Sequence, residues 1–206
     1  MQAGVINDCI DSDTLNLVAD TLRSKQEPFF TEHSVTWPSN RNTKFFPILE
    51  AKIYPLLKNH FDPMEIVIIN YTECMRPFGL HFDDWQTYGM GPAHMSILFP
   101  ISENNIKTYV FDEKIEYKEG MSRENKIHVN EYFKDHAIGK SCFRPGMEHM
   151  TTYGDKDILN KVKLLKELPW KKNSAIYWDS NLLHGGSNIN EKRFIIMHTV
   201  SKAVQQ

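Results

Sequence analysis

The chain is poor in cysteine. It has three, Cys9, Cys74 and Cys142, odd in number, widely spaced and never in a CxxC pair. That argues against a disulfide framework or a thiolate zinc site. Buried thiols in a reducing cytoplasm are the expectation. A dominant charge is also lacking: 24 Lys and Arg stand against 26 Asp and Glu, for a formal net charge of -2. No electrostatic argument therefore makes nucleic acid or an anionic membrane an obligate partner. Long apolar runs are missing too. The longest, around 66–69 and 175–178, have strand length, far short of the roughly 20 residues of a membrane span. The opening MQAGVINDCIDSD has no basic residue and no sustained apolar core, so no secretory leader is read there. There is no internal repeat and no low-complexity tail.

What the chain does have is enough apolar content, 41% of 206 residues, for one domain with a real core. Residues 8–24 read as a capped helix. Asp11 or Ser12 can serve as N-cap, and Leu15, Leu17, Val18 and Leu22 recur near helical spacing. The piece 25–41 reads as irregular, with a turn at Pro38-Ser39-Asn40. A second helix is expected over roughly 42–60, with Pro47 in its first turn and Pro55 kinking or ending it. After Pro63 the texture turns to strands, at 64–73, 94–101 and KTYVFDE, where Thr108, Val110 and Asp112 share one face and Tyr109 and Phe111 the other.

Residues 113–172 read as an insertion, serving as a lid or as a solvated elaboration. Within it KDILNKVKLLKEL has helical periodicity up to Pro169. Strand texture returns at 174–178, 183–186 and 192–200. The predicted class is thus mainly β, a single domain with 1–63 as helical support, 64–112 and 173–200 as core, and 113–172 inserted.

Chemistry concentrates in two stretches. The first, IVIINYTECMRPFGLHFDD, is an apolar strand that breaks at a Pro/Gly turn and delivers His81 and Asp83. Residues i and i+2 of a strand share a face, so imidazole and carboxylate can meet one metal ion. The second, SAIYWDSNLLHGGSNINEKRFIIMHTV, offers His184 as third ligand and, nine residues on, Arg193. Two imidazoles and one carboxylate on one face of an octahedral ion leave positions open, the donor set of non-haem Fe(II) oxygenases. HxD alone is weak, since such tripeptides occur by chance. The second stretch raises the odds, because a guanidinium fork suits a carboxylate held in the same cavity.

The pattern HxD…H…R, here His81, Asp83, His184 and Arg193, resembles that of the 2-oxoglutarate- and Fe(II)-dependent dioxygenases. NYTECMRPFGLHFDD and MSILFPISENNIKTYVFDE are similar to segments of prolyl-hydroxylase-like members. DSNLLHGGSNINEKRF is similar to the distal motif of those and of phytanoyl-CoA-hydroxylase-like members. The resemblance covers about 64–112 and 173–200. It implies a double-stranded β-helix (jelly-roll) fold. It also implies Fe(II) on His81, Asp83 and His184, with 2-oxoglutarate and O2 as co-substrates. Arg193 would take the distal carboxylate of 2-oxoglutarate, and Tyr71 would donate a hydrogen bond to it or else be a core tyrosine. Thr199 shares Arg193's strand face. The Arg-x-Ser pattern of some members is absent, since Ile195 stands there. Halogenating members replace the carboxylate by a small residue. Asp83 therefore implies hydroxylation or a related oxidation.

Blander readings cover the rest. His94 reads as a strand-end residue, and His33, His60, His128, His136 and His149 as solvated. Asp84 reads as a capping or loop residue. Trp85, Tyr88 and Tyr177 are core or pocket wall, Trp178 is core, and Gly185 and Gly186 allow a tight turn. Two alternatives stay open: a cupin-like metal enzyme that does not use 2-oxoglutarate, and a non-catalytic barrel binding a ligand or partner. The expected substrate is a small molecule first, a protein side chain second and a nucleobase last, as no basic stripe interleaved with aromatics is present. Sequence says nothing of oligomeric state.

Overall fold

The fold is taken from a computed structural model that describes residues 2–61, 65–83, 95–102, 105–114, 135, 137–151, 156–187 and 192–200; within the last stretch only Phe194 has a described side chain. The elements run β1 (Ala3–Ile6), α1 (Ser12–Lys25), β2 (Phe29–Phe30), β3 (Ser34–Asn40), α2 (Phe46–Leu57), β4 (Glu65–Cys74), β5 (Met95–Pro100) and β6 (Lys107–Lys114). A short helix α3 (Lys156–Leu159), β7 (Leu164–Pro169), β8 (Ala175–Asp179), β9 (Leu182–Gly186) and β10 (Lys192–Val200) follow.

The strands form two antiparallel sheets. The larger has the order β1-β8-β5-β10-β4-β3-β2 and the smaller β7-β6-β9. Alternation along the strands sorts the core into three layers. The outer face of the large sheet, with Ile69, Tyr71, Ile97 and Phe99, is covered by Leu15, Val18 and Leu22 of α1 and by Leu49, Ile53 and Leu57 of α2. Cys74, Leu98, Ile176, Trp178 and Phe194 meet Val110, Leu168 and Leu182 between the sheets. Tyr109, Phe111 and Leu183, on the outer face of the small sheet, pack on Met147, Met150, Ile158 and Val162. The two predicted faces of β6 are the two sides of that sheet.

Local chemistry explains the helices. The Asp11 carboxylate accepts the Thr14 N–H at 2.7 Å and caps α1, satisfying a donor the helix leaves open. Leu17, expected on the apolar face, is exposed. Helix α2 carries Pro47 in its first turn and runs through Pro55 to end two residues later.

Three expectations are corrected. The 1–63 region is not only helical support, because β1, β2 and β3 all belong to the large sheet. The irregular piece 25–41 contains β3, which pairs with β4 from Ser34↔Cys74 to Asn40↔Ile68. Pro38 fits there because β2 pairs only with Val35 and Thr36 and leaves that edge of β3 open beyond them. The insertion is not all outside the core. The KDILNKVKLLKEL helix stops at Leu159, and β7 then pairs with β6 from Leu168↔Thr108 to Leu164↔Phe111. Short apolar runs do not separate helix from strand by period, and here an open edge of β6 decides. The described part of 137–162 buttresses the small sheet from outside. Residues 115–134, the remainder of the supposed lid, lie outside the described residues. Among the described residues no helix is long and apolar enough to cross a membrane.

Candidate metal centre

After β4 the chain turns back and runs alongside β9. His81 and His184 form an isolated antiparallel bridge. Each donates its backbone N–H to the other's carbonyl, both at 2.9 Å. The Gly186 N–H donates to the Phe78 carbonyl at 3.1 Å and the Asp83 N–H to the Ser180 carbonyl at 3.3 Å. Residues 78–83 thereby dock along the free edge of β9. Directly paired residues project on the same side of a sheet, so the two imidazoles face each other with ring centroids 4.2 Å apart. Asp83, two residues on, projects with His81.

The donor atoms converge. His184 Nε2 lies 3.4 Å from Asp83 Oδ1 and His81 Nε2 lies 4.0 Å from the same oxygen. One ligand atom from each of the three falls within 4.8 Å of the others. Adjacent donors about 2.1 Å from a shared ion stand roughly 3 Å apart, so binding needs only a small contraction.

The outward atoms are fixed by what the inward atoms do. His81 Nδ1 is 2.8 Å from the Gly79 carbonyl and His184 Nδ1 is 2.9 Å from the Leu182 carbonyl. A carbonyl only accepts, so each Nδ1 carries a proton and Nε2 is the atom left for a metal, where a bound ion would displace any proton that His184 shares with Asp83. Asp83 divides its oxygens likewise. Oδ2 accepts from the Ser96 hydroxyl and, at 3.2 Å, from Trp178 Nε1–H, which leaves Oδ1 toward the histidines.

Burial, then the proximity of His184, push the His81 imidazole down to about 4. It is neutral and able to ligate at pH 7. Burial opposes a charge on His184, but Asp83 outweighs it through its charge and hydrogen bond, and His184 is raised. Exposure is graded across the set: the His184 side chain is 4% exposed and that of His81 39%, so the centre opens on the His81 side.

Beside the three residues lies a pocket between the sheets, lined by Phe78, Leu98, Thr108, Trp170, Trp178, Gly186 and Phe194. Trp170 Nε1–H donates to the Thr108 hydroxyl at 3.0 Å and the Trp170 ring packs edge-on against Phe194 at 5.2 Å. These aromatic walls make the side of the centre away from His81 apolar.

Other expected residues fall elsewhere. Tyr71 is not brought to the pocket. It lies in the layer under the helices, 1% exposed, with its ring 5.3 Å from Trp37 and its hydroxyl donating to Glu73 at 2.7 Å. Strand alternation turns it away from the inner face. Arg193 occupies a β10 position paired with Glu73, and Thr199 one paired with Ile66 and Met95; their side chains, with that of His198, lie outside the described residues. Asp84, Trp85, Tyr88, His94, His128 and His136 also lie outside them. Tyr177 packs edge-on against Phe61 and over Gly4, on the helix side. His33 and His149, read as solvated, instead both engage Phe78: His33 by its ring at 5.4 Å, His149 by donating Nε2–H to the carbonyl at 3.3 Å.

Sequence reasoning missed Ser96; Trp178 is core as expected, and what the sequence did not show is its N–H bond to Asp83. The signal for Ser96 is a single hydroxyl within an otherwise apolar strand. It missed the lining residues Thr108, Trp170 and Phe194, which are not themselves motif residues and come together only through the pairing of the strands.

Gly185 is needed for close approach rather than for a turn. A Cβ there would stand 2.6 Å from Met150 Cε and 3.2 Å from the Gly79 carbonyl oxygen, the atom that orients His81. Met150 is fully buried and cannot swing clear. Gly185→Val is expected to cost about 1–3 kcal/mol by overpacking and to weaken Co(II) binding, as read by denaturation and by spectroscopic titration.

No protein-family model matches the chain, and no curated protein matches it in sequence. The fold is shared with several solved structures, the first of them described as a member of the 2-oxoglutarate-Fe(II) oxygenase family. One is an oxidoreductase of that family from Burkholderia pseudomallei: 10% identity, TM-score 0.54, 97% of this chain and 84% of that one. A second is HygX from Streptomyces hygroscopicus, solved with nickel and 2-oxoglutarate: 10% identity, TM-score 0.54, 98% and 83%. A third is the epimerase SnoN, in complex with Fe3+, alpha-ketoglutarate and nogalamycin RO: 9% identity, TM-score 0.55, 97% and 78%.

Proposed function

We propose that this chain is an Fe(II)- and 2-oxoglutarate-dependent dioxygenase on a double-stranded β-helix, hydroxylating a small molecule, with a protein side chain as next choice. One observation carries this reading: His81, Asp83 and His184 turn two imidazole nitrogens and one carboxylate oxygen to a common point beside a largely apolar, aromatic-lined pocket. Their donor set fits a ferrous ion, two neutral nitrogens and one anionic oxygen on one face. The fold shared with HygX and SnoN supports the choice of co-substrate, because both were solved with it and a metal.

His81, Asp83 and His184 would hold the iron. With 2-oxoglutarate and O2 such an ion would supply oxidising power, one oxygen atom entering the substrate and the other the succinate left after loss of CO2. Trp170, Phe194 and Phe78 would wall the apolar side of that reaction space. Arg193 is assigned to the distal carboxylate of 2-oxoglutarate and Thr199 to the same end. Phe194 lines the pocket, so this role asks the start of β10 to depart from strict alternation. Tyr71 is given no part. Three free thiols, two of them buried and raised by that burial in Cys74 and Cys142, suit a reducing cytoplasm.

The test is anaerobic titration of the protein with Fe(II) and then 2-oxoglutarate. A weak visible charge-transfer band is expected on adding the keto acid. Metal uptake without the band favours a metal enzyme that does not use 2-oxoglutarate, and no uptake favours a binding module. Arg193→Ala is expected to raise the 2-oxoglutarate concentration at half-saturation about tenfold or more while metal uptake holds, because a charge-assisted bidentate contact is lost. An unchanged midpoint removes Arg193 from the site. Since SnoN is an epimerase, the product must be identified as well as the succinate.

A further inference from the structure

We infer that Trp178, with Ser96, is a positioning residue that makes Asp83 a one-oxygen ligand and so sets how many positions on the ion stay open. The inference rests on the metal reading above. Both donors act on the same atom: the Ser96 hydroxyl and Trp178 Nε1–H, the latter at 3.2 Å, end on Asp83 Oδ2. With two donors on it, Oδ2 is turned away from the ion, and a carboxylate that would otherwise chelate through both oxygens binds through Oδ1 alone. A chelating carboxylate would take one more position and leave less room for co-substrate and dioxygen.

The donors are themselves fixed. The one hydrogen of the Ser96 hydroxyl is directed to Asp83, so the neighbouring Ser180 hydroxyl, 3.1 Å away, donates to Ser96. Ser96 and Ser180 are both fully buried. Ser180 also accepts the Asp83 backbone N–H through its carbonyl, so one residue holds Asp83 by its main chain and backs the donor to its side chain. Trp178 acts on a second ligand as well. Its ring lies against His184, with centroids 4.9 Å apart and planes at 46°. It is 4% exposed and paired with Ser96 across β8 and β5. A register pair on the large sheet thus reaches over to fix two ligands carried by the other side of the molecule.

The experiment loads Co(II), without 2-oxoglutarate, into wild type, Trp178→Phe, Ser96→Ala and Asp83→Ala. Trp178→Phe keeps a ring against His184 and deletes only the N–H; Ser96→Ala deletes only the hydroxyl. Losing an outer partner of a ligand weakens metal binding about 10–100-fold. The expected result is a changed visible d–d spectrum in each, the mark of a carboxylate free to bind through both oxygens, with a Co(II) Kd shifted about 10-fold, in protein that melts as one transition. A merely structural role would lower the melting temperature and leave Kd and spectrum alone. If Asp83→Ala loses Co(II) while Trp178→Phe and Ser96→Ala keep wild-type Kd and spectrum, the inference is overturned and the metal site stands. If wild type takes up no Co(II), the metal reading fails and the inference falls with it. Should Trp178→Phe not fold, Ser96→Ala decides between these outcomes.

Discussion

Asp83→Ala is expected to abolish metal uptake and metal-dependent turnover and to leave the fold in place. Asp83 is the one anionic member of the three converging residues, so its loss removes both a ligand atom and the charge that offsets the ion. The fall in affinity should exceed the 10–100-fold typical of losing an outer-shell partner. The fold survives because Asp83 contributes no apolar packing and its backbone N–H to Ser180 remains. It survives at a cost, since the Ser96 hydroxyl and Trp178 N–H each lose an acceptor. Stranding such donors costs about 1–3 kcal/mol. Co(II) titration alongside urea denaturation checks both halves. Retained stoichiometric binding would show that the ion, if any, sits elsewhere.

The second large effect concerns stability. Phe99 is fully buried on β5, where it faces the layer formed with α1 and α2. Phe99→Ala is expected to destabilise by about 3–5 kcal/mol, the sum of lost transfer energy and the cavity left behind. For a chain of this size that lowers the melting temperature by roughly 6–20 °C. The pocket lies on the opposite face of the same sheet, so Co(II) affinity of the folded fraction should be unchanged. A shift below about 1 kcal/mol would mean that the helices add little to the sheet they cover.

The motif residues were legible because metal chemistry restricts them to few residue types at fixed spacing. HxD reads as one strand face, and the structure brings His81 and Asp83 together with His184. The strand KTYVFDE was equally legible, since its alternation matches a sheet buried on both faces. Three things were not. Pro38 hid β3, because the harmlessness of a missing N–H depends on where a neighbouring strand stops. The run around 158–168 has a period that suits helix, and only the vacant edge of β6 makes its end a strand. Tyr71 sits in a strand leading to the site and looked like a ligand contact. Register turns it to the helices, and register depends on pairings that no local pattern encodes.

The bridge between His81 and His184 joins residues 103 positions apart in the chain (184 minus 81). Closing a loop of that size is an entropic penalty, and the sheets meet it before any ion arrives. The three donors therefore cannot converge in a fragment that stops short of β9, and a newly made chain gains this candidate metal centre only when that strand has paired. Ion capture is thus withheld until the polypeptide around the three donors is paired.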